Sequence, residues 1–468
     1  MAAGTLGAVA VGGGPLRALA EAGRDGAAVG NRTGRVARPN ILHVMTDDQD
    51  YQSWAERFTR LDSKGQVLVD ADGEPVRDYA MPFTRGMPGG GWCDFTQNTC
   101  TSAICAPSRA GLLTGVPARE HGVMRNGWID NLDESNTLAV WLSAAGYRTH
   151  LVGKYSFGRR GRGRPNPPGW TSFNGRGGLA RSVFDDGVAL IREMAGGPAP
   201  WALFLWPTDP HRVAQPTPQN ARVGLLPAEL PGNINEEDVS DKPEWVRNTK
   251  PISSARMRTI LRDRVRAYQA LMGVDQGIER VFDALVETGQ LGNTIIVVTS
   301  DNGESWGSHR QIYKDMIYDE ASRVPLAIRL PWLAGNRSEE RVVSALDVTA
   351  TIVEATGVEA GRPLMGRSLL GLMEEAGSPW EGAAYIESHG SPGARSKGRP
   401  AFRGLRTGGD GWGAFSYAEY PETGEVELYD RAMDPAQLDN VAGRSEYGEV
   451  REALAARLAE FVARPGYE

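Results

Sequence analysis

Residues 294–303 read Thr-Ile-Ile-Val-Val-Thr-Ser-Asp-Asn-Gly. An uncharged, mostly β-branched run that ends in polar residues and glycine predicts a buried strand of a parallel sheet. Two further stretches have the same form. Residues 39–46 are followed by Asp47 and Asp48, and the apolar run 201–206 is followed by proline and aspartate. All three stretches are predicted strands of the sheet, and residues 294–300 are predicted to be central.

Apolar residues at helical spacing separate the predicted strands. Residues 262–288 carry them three and four positions apart and are followed by glycine, which predicts a long helix. Shorter helices are predicted over 137–146 and 347–356, with strands over 148–152 and 324–330. Strands that alternate with helices predict an α/β fold, in which a large, mostly parallel sheet is covered by helices on both faces.

The composition changes near residues 371–379. Beyond this point the pattern predicts a small antiparallel sheet packed by one terminal helix over 447–463. The predicted short strands are 383–388, 402–407, 413–418 and 426–429. The chain is therefore divided into an N-terminal extension or signal remnant (1–37), a large α/β domain (38–373) and a small α+β subdomain (374–468).

Charge and cysteine content exclude several classes of protein. The chain has 468 residues, with 51 Lys and Arg against 58 Asp and Glu, so its net charge is −7. This charge counts against a nucleic-acid partner, which needs a basic surface. The apolar run 201–206 is far shorter than the ~20 residues that span a bilayer, so no transmembrane segment is predicted. Three cysteines are too few for a disulfide scaffold or an all-cysteine zinc site.

The first 37 residues are rich in glycine and alanine and predict no folded element. Ala18-Leu19-Ala20 is similar to the small-residue cleavage site of an export signal. The preceding Met-Ala-Ala-Gly start has no Lys or Arg, although such signals begin with positive charge. An export signal remnant and a simple N-terminal extension both remain as interpretations. Exported (periplasmic or secreted) and cytoplasmic locations therefore stay open.

The sequence Cys105-Ala106-Pro107-Ser108-Arg109 opens a predicted helix, which continues through Leu112 and Leu113 to Thr114-Gly115. Proline in the first turn places Cys105 at the helix N-terminus. The free N–H groups and partial positive charge of that end attract a sulfate or phosphate group. Arg109, one turn on, points back toward the same place. The alternative is a buried structural cysteine ahead of a helix.

Acidic and amide side chains end two of the predicted central strands, as Asp47-Asp48 and as Asp301-Asn302. In open α/β sheets, ligands bind at the carboxyl ends of the strands. Three carboxylates and one amide form an all-oxygen donor set, which hard divalent cations and above all Ca²⁺ accept. The alternative is that these residues only end strands or cap helices.

The motif Cys105-Ala106-Pro107-Ser108-Arg109 with Leu113-Thr114-Gly115 resembles that of the type I sulfatases of the alkaline phosphatase superfamily. The resemblance implies that a formylglycine-generating enzyme converts Cys105 to formylglycine (3-oxoalanine). The hydrated aldehyde provides one hydroxyl that attacks sulfur and a second that later expels sulfate. The resemblance also implies Ca²⁺, with Mg²⁺ and Mn²⁺ as alternatives, beside the modified residue. The implied metal ligands are Asp47, Asp48, Cys105, Asp301 and Asn302, and Asp301 would also help deprotonate the attacking hydroxyl.

Other segments extend this resemblance over the predicted catalytic domain, 38–373. Gly153-Lys154-Tyr155 matches a family element whose lysine contacts the sulfate, but Ser156 stands where the family often has histidine. His211 and Lys314 match residues that contact the ester oxygen and protonate the leaving alcohol. The implied catalytic residues are Cys105, Arg109, Lys154, His211 and Lys314. Further family segments match residues 119–123, 307–309 and 427–430. His121 and His309 lie in the first two of these segments, and both are expected behind the site.

The predicted function is hydrolysis of an aryl or carbohydrate sulfate monoester, with some resemblance to N-acetylglucosamine-6-sulfatases. The expected partner is a sulfated small molecule or sugar. One alternative is a phosphodiester or phosphonate monoester hydrolase of the same superfamily. Another is a non-catalytic anion binder, which would not need a maturable cysteine. The Arg-rich segment 158–169 is either a basic lip that recruits a polyanionic substrate or a solvated loop.

Overall fold

The computed structural model describes residues 35–156, 166–226, 230–375, 377–390, 398–409 and 411–463. The strands are β1 (Asn40–Thr46), β2 (Arg57–Leu61), β3 (Arg77–Tyr79), β4 (Trp92–Phe95), β5 (Asn98–Thr99), β6 (Arg148–Gly153), β7 (Ser172–Asn174), β8 (Trp201–Trp206), β9 (Gly224–Leu226), β10 (Thr294–Ser300), β11 (Ser305–Trp306), β12 (Ile312–Tyr313), β13 (Leu326–Arg329), β14 (Arg337–Glu339), β15 (Val343–Ser344), β16 (Ala383–Ser388), β17 (Phe402–Thr407), β18 (Phe415–Tyr420) and β19 (Glu425–Asp430). The α-helices are α1 (Tyr51–Ala55), α2 (Pro82–Arg85), α3 (Cys105–Thr114), α4 (Ala118–His121), α5 (Leu138–Ala144), α6 (Ala180–Met194), α7 (Glu244–Arg247), α8 (Ser254–Glu287), α9 (Asp319–Ser322), α10 (Ala345–Thr356), α11 (Leu370–Glu374) and α12 (Gly448–Ala463).

The main sheet has β1 and β10 at its centre. Within the described residues its order is β14-β4-β13-β10-β1-β8-β6-β7. β1 runs parallel to both β10 and β8, and β6 runs parallel to β8 and β7. The predicted α/β fold with a mostly parallel central sheet is therefore confirmed.

Both faces of the sheet are covered by helices. Successive side chains of a strand point to opposite faces, and in β10 the side chains on both faces are apolar. Ile295 and Val297 of β10 belong to a core that also contains side chains of α3, α5 and α10. Ile296 and Val298 belong to a second core with side chains of α6 and α8. Each of these four side chains is at most 1% exposed, and such burial contributes about 1.5–3 kcal/mol per residue. These two cores hold the carboxyl ends of β1 and β10 in place.

The edge of the sheet beyond β10 differs from the prediction. β13 pairs antiparallel with β10 and with β4, and β14 continues the sheet beyond β4. β4 was not predicted, because Trp-Cys-Asp-Phe is short and contains a charged residue. Its Asp94 is buried in contact with Arg85 and with the indole of Trp54, so tertiary contacts compensate for the charge.

The C-terminal segments form the predicted antiparallel sheet, in the order β16-β17-β18-β19. Helix α12 packs on it through Leu454, Leu458 and Phe461. Residues 1–34, which include most of the predicted extension, and residues 157–165 of the Arg-rich segment lie outside the described residues. Within the described residues, no helix combines the length and the apolar character that crossing a membrane requires.

Candidate active site

The polar ends of β1 and β10 lie side by side. Because these strands pair in parallel with Thr46 opposite Ser300, the residues that follow them meet at one edge of the sheet. The Asp48 backbone N–H donates to Asp301 Oδ1 at 3.1 Å, and Asn302 Nδ2 donates to Asp48 Oδ1 at 2.7 Å. The predicted oxygen donors are thus brought together.

Cys105 is the first residue of α3 and faces these carboxylates. Its Sγ lies 3.4 Å from Asp47 Oδ1 and 3.7 Å from Asp48 Oδ1. One turn later, Arg109 Nε donates to Asp301 Oδ2 at 2.7 Å. Arg109 also donates to the carbonyl of Lys154. The helix N-terminus and both strand ends therefore converge on one point.

Two lysines complete the site. Lys154 follows β6, and its Nζ lies 2.5 Å from Asp47 Oδ2. The preceding Gly153 has φ +121° and packs so closely on Trp206 that a Cβ would lie 2.0 Å from the Trp206 carbonyl oxygen. Lys314 Nζ lies 2.8 Å from Cys105 Sγ and also contacts Asp48.

His211 lies at the more open side of the site. It follows β8, its Nε2 is 3.5 Å from Asp48 Oδ2, and its side chain is 34% exposed. Lys314 is 13% exposed. The structure therefore leaves His211 more accessible to an incoming ester.

The charges in the site stabilise the ionised carboxylates. Burial raises the pKa of Asp47, but Lys154 and Arg109 outweigh burial, so the pKa is lowered overall. Burial likewise raises the pKa of Asp48, and Lys314 and His211 reverse the effect. Burial raises the pKa of the Cys105 thiol well above its ordinary value. An unmodified Cys105 is therefore a thiol, and a thiol is a far weaker nucleophile than a thiolate.

The donor set fits a divalent cation. Ligand atoms of Asp47, Asp48, Cys105 and His211 all lie within 4.8 Å of one another. Asn302 Oδ1 is buried without a hydrogen-bond partner among the described residues, so a free amide oxygen remains at the site. Asp301 is outside the close group, and its two carboxylate oxygens accept hydrogen bonds from Arg109 and from backbone N–H groups.

Glu304 is a buried acid that no motif in the sequence marks as functional. It is 2% exposed and pairs with Arg212 at 3.5 Å. Burial and then the charge of Asp48 raise its pKa to about 8. Its position directly after Asp301-Asn302-Gly303 is the signal that would have identified it.

Ser156, the departure from the family pattern, has a buried hydroxyl without a hydrogen-bond partner in the described part of the chain.

The two other histidines of the matched segments have partners outside the site. His121 Nδ1 accepts a hydrogen bond from the Val123 N–H. His309 Nδ1 lies 2.6 Å from Glu236, and its ring stacks on Tyr318 at 4.0 Å. Both contacts hold neighbouring chain segments in place.

Comparison with known families gives two matches. A family model described as Sulfatase matches residues 39–358. A second, described as N-sulphoglucosamine sulphohydrolase, C-terminal, matches residues 307–464. Together they cover the site and the C-terminal sheet.

Curated relatives agree with these matches. The N-acetylglucosamine-6-O-sulfatase of Bacteroides thetaiotaomicron is 24% identical, over 90% of this chain and 86% of its own length. The extracellular sulfatase SULF-1 homolog of Drosophila melanogaster is 27% identical over 77% of this chain. The chain spans only 34% of that relative's length.

Solved structures show the same fold. One is a complex with its substrate D-glucosamine-2-N,6-O-disulfate; it has a TM-score of 0.72 and 21% identity, and covers 92% of this chain and all of its own. Another is the phosphonate monoester hydrolase of Agrobacterium radiobacter, with a TM-score of 0.70 and 22% identity, covering 91% of this chain and 96% of its own.

Proposed function

The chain belongs to the sulfatase family and is a sulfuric ester hydrolase, and on that basis we propose that it hydrolyses a carbohydrate sulfate, with formylglycine at position 105 and a bound Ca²⁺. One observation carries the proposal: the Cys105 side chain lies at a helix N-terminus between the Asp47 and Asp48 carboxylates and the Lys314 ammonium. A structural cysteine needs none of these neighbours.

The chain's own residues account for sulfate binding. The N-terminus of α3 contributes the partial positive charge of a helix end, and Arg109, Lys154 and Lys314 place three positive charges around the position of Cys105. Each of these cations already pairs with a carboxylate, so the cations are held in place before substrate arrives. Burial of the site excludes water and strengthens each of these interactions.

The family implies two further groups: a formylglycine, made by modification of Cys105, and a bound divalent cation. A formylglycine at position 105 supplies a hydrated carbonyl for attack on sulfur, and a divalent cation supplies positive charge beside it. Asp47, Asp48, Asn302 and the residue at 105 would hold the cation, with Asp301 behind them. A formylglycine-generating enzyme is therefore the proposed maturation partner.

His211 is the residue that we assign to protonation of the leaving alcohol. It is accessible, and histidine is the side chain that enzymes use most often as a general acid. We do not assign Lys314 to that role. Burial lowers the pKa of Lys314, but Asp48 and Cys105 raise it further, and the pKa ends well above its ordinary value. Lys314 then acts as a fixed positive charge that binds the sulfate and the ester oxygen.

The relatives support a carbohydrate ester. N-acetylglucosamine-6-sulfatases of goat and human origin are each 26% identical to this chain. The competing function is phosphonate monoester hydrolysis, because one structural neighbour is a phosphonate monoester hydrolase. Turnover of sulfate, phosphonate and phosphate esters of one aryl alcohol separates the two, and we expect the sulfate ester to be preferred.

Mass spectrometry tests the chemistry directly. The protein is co-expressed with a formylglycine-generating enzyme and digested with trypsin, which releases residues 86–109. We expect the mass of an aldehyde in place of the Cys105 thiol, together with hydrolysis of N-acetylglucosamine 6-sulfate. An unmodified thiol in protein that hydrolyses this ester would contradict the proposed mechanism.

A further inference from the structure

Two arginines without an ion-pair partner among the described residues lie beside the site, in a cleft of about 780 Å³ that acidic side chains also line. Arg125, His389 and Arg399 line one part of it, and the exposed Lys250 lines another. Three acids, Glu244, Glu422 and Glu425, also line the cleft. Glu425 accepts hydrogen bonds from the Glu244 N–H and from Arg247, and Glu244 accepts one from Asn248 Nδ2.

The two arginines have no carboxylate partner. Arg125 donates through Nε and Nη2 to the carbonyl of His389. Arg399 donates to the carbonyls of Ile312 and Lys314. Among the described residues, neither guanidinium forms an ion pair, and the intervening residues 391–397 contain no Asp or Glu. Neither guanidinium is therefore neutralised by a direct ion pair within the described residues.

Arg399 is more deeply buried than Arg125. It is only 5% exposed, and its buried Nε has no hydrogen-bond partner in the described part of the chain. The charges of Asp315 and Glu304 favour the charged guanidinium of Arg399, but they do not outweigh the cost of its burial. The cost is recovered when a carboxylate or sulfate enters the cleft, because guanidinium groups bind both with paired hydrogen bonds.

The cleft adjoins the reacting centre. Arg399 binds the backbone of Lys314, whose ammonium lies 2.8 Å from Cys105 Sγ. Asn126, next to Arg125, accepts a hydrogen bond from the Ala106 N–H at 2.9 Å. A ligand can therefore extend from one anion site to the other.

We propose that this cleft is a second anion subsite, which binds a carboxylate or a further sulfate on the glycan that carries the reacting ester. The proposal rests on the proposed function and narrows its substrate to a glycan with at least two anionic groups. The source of the second charge is either a neighbouring uronate or a second sulfate on the same chain.

The test compares Arg125→Gln and Lys250→Gln with wild type on three probes. These are 4-nitrophenyl sulfate, a disulfated disaccharide without uronate, and a monosulfated disaccharide with uronate. One of the two disaccharides carries the kind of anion that the cleft binds. We expect its kcat/KM to fall about tenfold more than that of the aryl sulfate, as the loss of one charge-assisted contact implies. Arg125→Lys should restore most of the loss. The disaccharide that responds identifies the anion.

The matched control is Arg192→Gln, which removes an exposed arginine that pairs with Glu287 and should leave all three ratios unchanged. Equal losses on all three probes in the two cleft variants would overturn the subsite. If wild type hydrolysed no sulfate ester, the proposed function would fail. Calorimetric binding of the two disaccharides to wild type and Arg125→Gln would then still decide the subsite.

Discussion

Cys105 is buried at the first position of α3, where an alanine fits. We expect Cys105→Ala to retain the fold and to lose sulfate ester hydrolysis, because nothing else at that position can act as nucleophile. Cys105→Ser should be nearly inactive as well unless a serine-specific maturation system is present. Circular dichroism and aryl sulfate turnover measure the two effects. Near-wild-type turnover by Cys105→Ala would refute the mechanism.

His211 allows a test of its role through the leaving group. We expect His211→Gln to lower kcat/KM for an alkyl sulfate by about 10²–10³, the range that loss of general acid catalysis produces. A 4-nitrophenyl leaving group needs little protonation, so its ester should lose much less. Similar losses for both esters would assign His211 to binding instead.

The metal site can be tested with two isosteric substitutions, one beside the proposed ligands and one away from them. Asp301→Asn should lower both divalent metal content and activity, because it removes one of the negative charges that neutralise the cation. Asp50→Asn is the matched control. Asp50 is also buried, but it accepts hydrogen bonds from the Ser53 N–H and from Trp306 Nε1. Elemental analysis that finds full metal content in Asp301→Asn would show that the Asp301 charge is not needed to hold the cation.

At the scale of elements, Glu427 joins β19 to the loop that carries Lys314. This buried carboxylate accepts hydrogen bonds from the hydroxyls of Tyr318 and Tyr429, each at 2.6 Å, and from Tyr420. Tyr318 precedes α9 and stacks on His309. The network therefore links the C-terminal sheet to the segment beside the active site.

Glu427→Gln should lower the free energy of unfolding by about 2 kcal/mol, because an amide accepts fewer of these hydrogen bonds and carries no charge. Glu419→Gln is the control, since Glu419 accepts one tyrosine hydroxyl at 2.6 Å but is only partly buried. Chemical denaturation measures both variants. Equal stability of the two would show that the network contributes nothing beyond one surface contact.

At the scale of the whole molecule, His43 in β1 contributes to acid sensitivity. Burial, followed by the charge of Arg109, lowers its pKa to about 3. The unfolded chain binds a proton below pH 6.5 and the folded chain does not. Above pH 6.5 this histidine therefore does not lower the free energy of unfolding. As the pH falls below 6.5 the free energy of unfolding decreases, by about 2 kcal/mol at pH 5.

His43→Asn should flatten the pH dependence of stability by that amount between pH 7 and pH 5. Asparagine keeps an acceptor for the Trp206 Nε1 donor, which lies 3.1 Å from His43 Nδ1. Asp209 and Asp347, whose pKa values burial raises to about 6, oppose the histidine effect equally in both proteins. Parallel stability curves for variant and wild type would contradict this assignment.

Several features of the molecule could be predicted from sequence because short-range patterns control them. The β-branched run of β10 and the apolar run of β1 can only be buried, and strands of that kind lie inside a parallel sheet. Once both are central, their polar ends must meet at one edge. Proline in the first turn likewise fixes Cys105 at the start of α3. The oxygen donors and the anion-binding helix end followed from those local rules.

The tertiary structure alone decided which charges remain unpaired. Arg125 and Arg399 are far apart in sequence, and only the packing of the C-terminal sheet places both in one cleft. Neighbouring carboxylates also raised the pKa of Lys314 against the effect of burial, and folding placed a ligand atom of His211 within 4.8 Å of those of Asp47, Asp48 and Cys105. These properties depend on distance and burial, and a linear sequence does not specify either until the chain has folded.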